Sequence, residues 1–382
     1  MDLSVFFQPI KKPHRLPDLQ ADPSLMDQVD CFIDEFPDWE MADVLFFSAC
    51  IRDHQWLPSV FRQQFFSLSQ PYPRAKIADL GHLKPRELVE DSLEQLSYVL
   101  AQLRKSGKPC IIVYDDPLLS MAQIHAFEGA ESPIEYVHID SQADQLDSDL
   151  LLDHQSYHHA LLKTMPAWLF DYSLLGYQRY FVSEEQLNWL KERNLTAIRY
   201  GQLMGNIQEA EPYLRTAQVI SVDLSAVRAA DAPAAATLSS GGFSAEEFCR
   251  VARYAGLGYG PLSFSLSGWA PIDDRRDQTS RLSAMAAWYF LDGFYHRFDD
   301  YPREDKSNLT QYSVQLHSSI PKIDFYKHNR SERWWMEVPY QDSIGAKWPK
   351  TRLVACSEKD YEFSRNDDIP ERWWTIYNKL SS

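Results

Sequence analysis

The chain lacks the sequence features of several large protein classes. Its five cysteines are odd in number and widely spaced, without a Cys-x-x-Cys pair, which argues against a zinc cluster or a disulfide framework and favours a reducing compartment. No apolar run approaches the roughly 20 residues of a membrane span. Residues 1–7 show no basic region followed by an apolar one, as a signal peptide would. We therefore expect a cytoplasmic protein with no membrane partner.

Positive charge is also scarce. Lys and Arg number 38 against 54 Asp and Glu, for a net charge of −16, and no basic stripe interrupts the acidic residues. Nucleic-acid binding needs a concentrated basic face, so the charge balance argues against it. An acidic cleft would suit a cationic ligand or a metal ion, but charged surface residues that serve solubility explain the same balance.

Two common catalytic motifs are missing. No glycine-rich phosphate loop follows the first predicted strand, which argues against a dinucleotide-binding fold. No Gly-x-Ser-x-Gly sequence occurs, so a serine hydrolase is not supported either.

Strand and helix patterns alternate from residue 41 to residue 300. The clearest strands are predicted at 110–114, 134–139 and 219–223, and the clearest helices at 85–104, 124–129, from Ser244 onward, and 278–295. Such alternation implies right-handed strand–helix–strand crossovers. We therefore predict a parallel sheet with helices on both faces.

The two ends of the chain differ from this central part. Residues 1–40 are rich in proline and are expected to be irregular, and residues 301–382 form an aromatic-rich extension expected to pack on the α/β domain. The extension contains two similar segments, Glu332-Arg-Trp-Trp335 and Glu371-Arg-Trp-Trp374. Arginine on paired tryptophans could form a cation–π platform, but a rigid aromatic flap is the preferred interpretation. Residues 299–305 are expected to form an exposed turn.

Three carboxylates follow two of the predicted strands. Asp140 and Asp144 come directly after the strand 134–139, and Asp223 ends the strand 219–223. If these strands are neighbours, the three side chains converge at the carboxyl edge of the sheet, where they suit a hard cation such as Mg²⁺, Ca²⁺ or Mn²⁺. Spacing alone also fits helix caps, because Asp commonly follows a strand in that role.

The residues around these carboxylates resemble a known family. Asp140-Ser-Gln-Ala-Asp144 is similar to the Asp-Ala-His-x-Asp motif of the ureohydrolases, which comprise arginase, agmatinase and formimidoylglutamase. Residues 221–227, followed by 231–233 and 241–242, resemble the family's Ser-Phe-Asp-x-Asp segment and the sequences that trail it, and 170–179 resembles the formimidoylglutamase branch. The resemblance covers residues 40 to 300.

The resemblance implies a fold and a reaction. The fold would be a three-layer α/β/α sandwich with a mostly parallel sheet of about eight strands. Family members hold two Mn²⁺ ions on six ligands, and the ions bridge a hydroxide that attacks a guanidinium or formimidoyl carbon. Many assemble as trimers or hexamers, so a homo-oligomer is a further expectation.

Several implied site positions carry the wrong residue. The resemblance places metal ligands at Pro117, Gln142 and Ser225, where the family has His, His and Asp. It places the catalytic-pocket Glu near Gly268. None of these replacements offers the imidazole or carboxylate that the metal pair requires.

The surviving ligands, Asp140, Asp144 and Asp223, all serve the same one of the two metal positions. We therefore expect no metal or one weakly bound divalent cation, and no manganese pair. The leading hypothesis is a non-catalytic or altered protein that binds a small cationic or guanidino ligand, or a partner. The alternatives are an active hydrolase of C–N bonds in guanidino or formimidoyl compounds, and a structural or assembly protein that uses the Trp-rich extension.

Further residues are candidates for the lining of the pocket. His154, His158 and His159 lie where the family places a substrate-side His, and one of them could act as an acid or a replacement ligand. A group of solvated loop histidines is the simpler interpretation. Asp116 could line the pocket beside Pro117, but helix capping is the preferred interpretation.

Overall fold

A computed structural model gives the fold of the chain. It describes residues 2–16, 18, 22–51, 56–144, 156–164, 166–260, 262–270, 274–302, 307–317, 322–339 and 353–381. The strands are β1 Phe7–Gln8, β2 Val29–Cys31, β3 Val44–Ala49, β4 Ile77–Leu83, β5 Cys110–Tyr114, β6 Ile134–Ile139, β7 Leu169–Tyr177, β8 Thr196–Arg199, β9 Val219–Asp223, β10 Ser263–Ser267, β11 Leu309–Gln315, β12 Lys322–His328, β13 Trp334–Glu337 and β14 Leu353–Cys356. The helices are α1 Trp56–Phe66, α2 Val89–Leu103, α3 Ser120–His125, α4 Tyr157–Thr164, α5 Glu184–Glu192, α6 Tyr200–Leu203, α7 Glu211–Thr216, α8 Ala245–Leu257, α9 Gln278–Tyr295, α10 Glu358–Arg365 and α11 Glu371–Ser381.

The main sheet contains eight consecutive parallel strands. Their order is β4-β3-β5-β10-β9-β6-β7-β8, with β1 added antiparallel and β2 parallel to β4 at one edge. Since parallel strands require crossovers, helices cover both faces of the sheet. The three-layer fold predicted from the alternating pattern is confirmed. With β2, nine of the ten strands described in this sheet are parallel, which is close to the predicted number of about eight.

Alternate residues of each central strand enter two separate cores. In β5, Ile111 and Val113 belong to the core beneath α1, α8 and α9, whereas Ile112 and Tyr114 belong to the core beneath α2, α3 and α4. Successive side chains of a strand point to opposite faces, so a strand buried on both sides must be apolar at nearly every position. This explains the unbroken apolar sequence of β5.

Several boundaries differ from the sequence-based predictions for local reasons. The helix predicted at 124–129 is α3, which begins earlier, at Ser120. A short turn that starts at Pro117 precedes it, and the Asp116 side chain caps that turn. Residues 1–40, expected to be irregular, contribute β1 and β2 to the sheet edge. Asp300, expected in an exposed turn, is buried and paired with Arg333 at 3.2 Å.

The C-terminal extension forms a small unit of its own. Strands β11 to β14 make an antiparallel sheet, which packs with α10 and α11 around buried residues that include Phe325, Trp334 and Trp373. The two similar Glu-Arg-Trp-Trp segments fold differently, because one lies in β13 and the other in α11. Trp334 and Trp373 belong to the core of this unit, whereas Trp335 packs against Tyr259 of the α/β domain and Trp374 is partly exposed.

The extension is joined to the α/β domain by buried charged groups. Arg215 of α7 donates to the Trp334 carbonyl at 2.7 Å and lies 4.8 Å from the centroid of the Trp335 ring. Lys379 of α11 pairs with Asp171 of β7. In the part of the chain that the structure describes, no helix has the length and apolar character to cross a membrane.

Candidate functional site

Strands β6 and β9 bring the three predicted carboxylates together. The strands are parallel neighbours, with His138 opposite Ser221 and Ile139 opposite Val222. Asp140 and Asp223 therefore leave the same edge of the sheet side by side, as predicted for neighbouring strands. Asp140 is 2% exposed and Asp223 is 7% exposed, so both carboxylates are removed from bulk water.

His138 is the central residue of this group, and the sequence analysis did not select it. Its Nε2 atom lies 3.1 Å from Asp140 Oδ2 and 3.6 Å from Asp144 Oδ2. Its Nδ1 atom is 2.7 Å from the Ser221 hydroxyl oxygen. The signal was present in the sequence, since residues two apart on a strand share a face and His138 precedes Asp140 by two. Apart from Glu135, the rest of the strand is apolar or aromatic, so a histidine there is conspicuous.

A second histidine, which lies on α4, is close to His138 and Asp144. His158 is fully buried, and its Nε2 atom is 2.9 Å from the Tyr136 hydroxyl, which in turn lies 2.6 Å from the Ser221 hydroxyl. The His158 Nδ1 atom is 3.9 Å from Asp144 Oδ2 and has no hydrogen-bond partner among the described residues. A buried nitrogen without a partner is costly, so this atom is available to a ligand.

Two of the replaced ligand positions now bind a surviving one. The Ser225 hydroxyl donates a hydrogen bond to Asp140 Oδ1. The Gln142 backbone N–H donates to the same Asp140 oxygen at 2.9 Å, while the Gln142 side-chain amide donates to Thr237 at 3.3 Å. One oxygen of Asp140 is thereby used by groups that stand where the resemblance expects metal ligands.

Gly268 adjoins the third carboxylate. It follows β10 with φ of 88°, and a β-carbon built on it would lie 2.5 Å from Asp223 Oδ2. No side chain fits there without displacing Asp223. The position that the resemblance assigns to a catalytic-pocket Glu is therefore filled by the Asp223 carboxylate.

Burial and crowding of charge shape the protonation of the group. Burial raises the pKa of Asp144 and of Asp223, and the Asp140 charge raises both further. Burial lowers the pKa of His138, but hydrogen bonds and charges from Asp140 and Asp144 outweigh this and raise it to about 9. The pKa of His158 is lowered by burial and by His138. A cation placed among these carboxylates would relieve their mutual repulsion.

Three other predicted residues lie outside this group. The Asp116 carboxylate accepts from the Leu118 N–H at 3.0 Å, and Pro117 starts the turn that Asp116 caps. The His159 ring packs 5.0 Å from the Trp189 ring. His154 lies outside the described residues.

One group of side chains in the described part of the chain could hold a metal ion. Among the described residues, His138, Asp144 and His158 form a group whose ligand atoms all lie within 4.8 Å of one another. Asp140 and Asp223 add carboxylates beside it. Pro117, Gln142 and Ser225, where the resemblance expects further ligands, carry neither an imidazole nor a carboxylate.

The fold and this arrangement of carboxylates define the class of the protein. The Arginase family model matches residues 48–292, about two thirds of the chain, and the chain belongs to the arginase family. No curated protein matches its sequence.

Solved structures of ureohydrolases share the fold. The chain is similar to formiminoglutamase from Trypanosoma cruzi, solved with Mn²⁺, at 15% identity and a TM-score of 0.63 over 72% of this chain and 99% of that one. It is similar to formimidoylglutamase from Bacillus subtilis at 16% identity and a TM-score of 0.63, over 77% and 97%. Agmatine ureohydrolase of Thermoplasma volcanium gives 19% identity and a TM-score of 0.58, over 71% and 94%.

Proposed function

We propose that this arginase-family protein has lost the two-manganese hydrolytic centre and keeps the cleft as a binding site for a single cation. The cation is one divalent metal ion or the charged group of a small guanidino or amidino ligand. The observation that carries the proposal is the hydrogen bond from Ser225 to Asp140. Two positions that would together ligate a metal pair are instead bonded to each other.

The chemistry of the neighbouring positions supports the same conclusion. A single Mn²⁺ ion on oxygen ligands would lower the pKa of a bound water less than a bridging metal pair would, which disfavours attack on a guanidinium carbon at neutral pH. Pro117 and Gln142 offer no imidazole to hold that second metal. Gly268 offers no carboxylate for the catalytic pocket, and Asp223 occupies its space.

A second candidate function is an altered hydrolase with one metal ion. The observation in its favour is the group formed by His138, Asp144 and His158, in which His158 Nδ1 lacks a hydrogen-bond partner among the described residues. Two histidines and a carboxylate suit Zn²⁺ or Fe²⁺ as well as Mn²⁺. When bound, such a metal would act as a Lewis acid on an oxygen of the substrate.

The experiment is metal analysis after loading with Mn²⁺ and dialysis, combined with product assays. We expect at most one ion per chain, and no urea from arginine or agmatine and no formamide from formimidoylglutamate. An active formimidoylglutamase serves as the assay control. Close to two ions per chain together with turnover would refute the proposal.

Two variants decide which residues hold the single ion. If the ion sits on the three aspartates, Asp223→Asn removes it and His158→Ala leaves it in place. If His138, Asp144 and His158 hold it, His158→Ala removes it and Asp223→Asn weakens it less. Turnover by the protein carrying one ion, abolished in His158→Ala, would favour the altered hydrolase.

The third hypothesis, an assembly protein that uses the Trp-rich extension, has less support. Trp334, Trp335 and Trp373 are each at most 5% exposed and are used within the extension or against the α/β domain. Homo-oligomer formation is still a prediction, and sedimentation velocity would test it.

A further inference from the structure

A cavity lies at the opposite edge of the sheet from the carboxylate group. It has a volume of about 310 Å³ and is enclosed between the amino ends of β6 and β7, helix α7, and the C-terminal elements β14 and α11. Ligand sites in proteins start at roughly 300 Å³, so the cavity is large enough for a small organic molecule. Glu135 in this cavity and Asp140 in the cleft are five residues apart on one strand, or roughly 17 Å.

Glu135 is a carboxylate that lines the cavity, and the charges of Lys379 and Arg372 act on it without forming an ion pair with it. Its side chain accepts a hydrogen bond from the Thr216 hydroxyl. It makes no ion pair with any residue that the structure describes. The neighbouring Asp171 forms an ion pair with Lys379, so the lysine charge is balanced by Asp171 and not by Glu135.

Arg372 does not neutralise Glu135 either. Its guanidinium lies 3.4 Å from Asp360, donates to the Ala355 carbonyl at 3.2 Å and stacks 3.9 Å from the centroid of the Tyr213 ring. The partly buried Glu135 carboxylate therefore lines the cavity without an ion-pair partner among the described residues. Burying a carboxylate in this way is unfavourable unless a cation joins it.

The other walls of the cavity are aromatic and apolar. Tyr213, Tyr259, Phe170 and Ile376 line it. The Tyr259 hydroxyl is buried and has no hydrogen-bond partner among the described residues. Aromatic rings attract a cation through their faces, and this hydroxyl offers a further polar contact.

We propose that this cavity is a binding site for a small organic amine, whose ammonium group pairs with Glu135 and whose apolar body lies against Tyr213, Tyr259 and Ile376. Lys379 and Arg372 come from α11, so the extension completes the site. The proposal does not depend on the chemistry of the cleft at the other edge of the sheet.

Calorimetry with phenethylamine tests the proposal, with 2-phenylethanol as the neutral probe of matched shape. We expect saturable binding of the amine, at least about tenfold weaker binding of the alcohol, and a similar loss in Glu135→Gln, because a charge-assisted contact is replaced by a neutral one. The surface variant Glu246→Gln, whose side chain is 83% exposed, is the matched control and should bind like the parent protein.

The pH dependence gives an independent readout. Burial and the charge of Asp171 raise the pKa of Glu135 to about 7, while Thr216, Lys379 and Arg372 lower it. Tyr259 and Tyr301 also lie near this carboxylate. Amine affinity should rise about tenfold from pH 6 to pH 8 as Glu135 ionises, and Glu135→Gln should lose this rise.

Three results would overturn the proposal: no binding of the amine at millimolar concentration, equal binding of amine and alcohol, or unchanged affinity in Glu135→Gln. A cavity-filling variant, Ala355→Leu, guards against binding elsewhere on the protein, and it should abolish the signal while circular dichroism confirms folding. Amine binding that persists in Ala355→Leu would place the site outside this cavity.

Discussion

Gly268 and Asp223 are in direct contact at the carboxyl edge of the sheet, where a β-carbon on Gly268 would come within 2.5 Å of the Asp223 carboxylate. The glycine has a left-handed backbone with φ of 88°. Two separate penalties therefore oppose any side chain at this position, one from the backbone and one from the neighbouring carboxylate.

Gly268→Ala should destabilise the protein more than the same change at Gly205. Gly205 also has a left-handed backbone, with φ of 78°, but a β-carbon placed there would meet no atom within 4 Å. The backbone alone costs about 1 kcal/mol, and overpacking against Asp223 adds about 1–3 kcal/mol. Urea denaturation measures both variants. Equal losses of unfolding free energy in the two variants would show that Asp223 moves aside without an energetic cost.

Ser225→Asp should make folding depend on divalent metal. The new carboxylate would lie beside Asp140, which Ser225 now contacts, and two buried like charges should cost about 1–3 kcal/mol of unfolding free energy when metal is chelated. Mn²⁺ should restore much of that loss. Thermal melts with EDTA or Mn²⁺ test this, with Ser225→Ala as the control that removes the hydrogen bond without adding charge. A metal response of the same size in Ser225→Ala would contradict the explanation.

Lys379→Met should loosen the C-terminal extension. Lys379 is the ion-pair partner of the buried Asp171, and the loss of one member of a buried pair costs about 3–5 kcal/mol. The double variant Asp171→Asn with Lys379→Met should recover most of this loss because no charge is left unpaired. Limited proteolysis and tryptophan fluorescence report on the extension, which holds Trp334 and Trp373. A double variant no more stable than the single one would show that the lysine acts through packing alone.

Glu135→Gln should stabilise the unliganded protein at pH 8 but not at pH 4.5. Burial raises the pKa of Glu135 to about 7, above the ordinary value of 4.5. The folded state therefore holds its proton more tightly than the unfolded state. Stability is lost as pH rises from about 4.5 to about 7, and the full cost of about 1–3 kcal/mol is present above that range. Denaturation at the two pH values measures the difference. A variant less stable than the parent at pH 8 would show that Glu135 is already compensated.

The site was only partly predictable from the sequence. Asp140, Asp144 and Asp223 could be named because each follows an apolar strand in a motif that resembles the family's. His138 was missed. His158 was named as a possible replacement ligand, but the simpler interpretation of a solvated loop histidine is wrong, because His158 is fully buried where α4 packs on the sheet. Asp116 and His159 were plausible candidates by position, but the structure uses them for a cap and for ring packing.

The local sequence pattern determined the helices and strands, and tertiary packing determined which of their residues are in contact. The sequence by itself specified the parallel α/β sheet, because alternating apolar strands and amphipathic helices have few other ways to bury their faces. Its resemblance to the family also predicts which metal ligands are replaced. Only the tertiary structure decided that Ser225 bonds to Asp140, that Asp223 fills the space beside Gly268, and that the extension closes a cavity over Glu135. These contacts join residues far apart in the chain, and their distances depend on strand order and packing that no local pattern encodes.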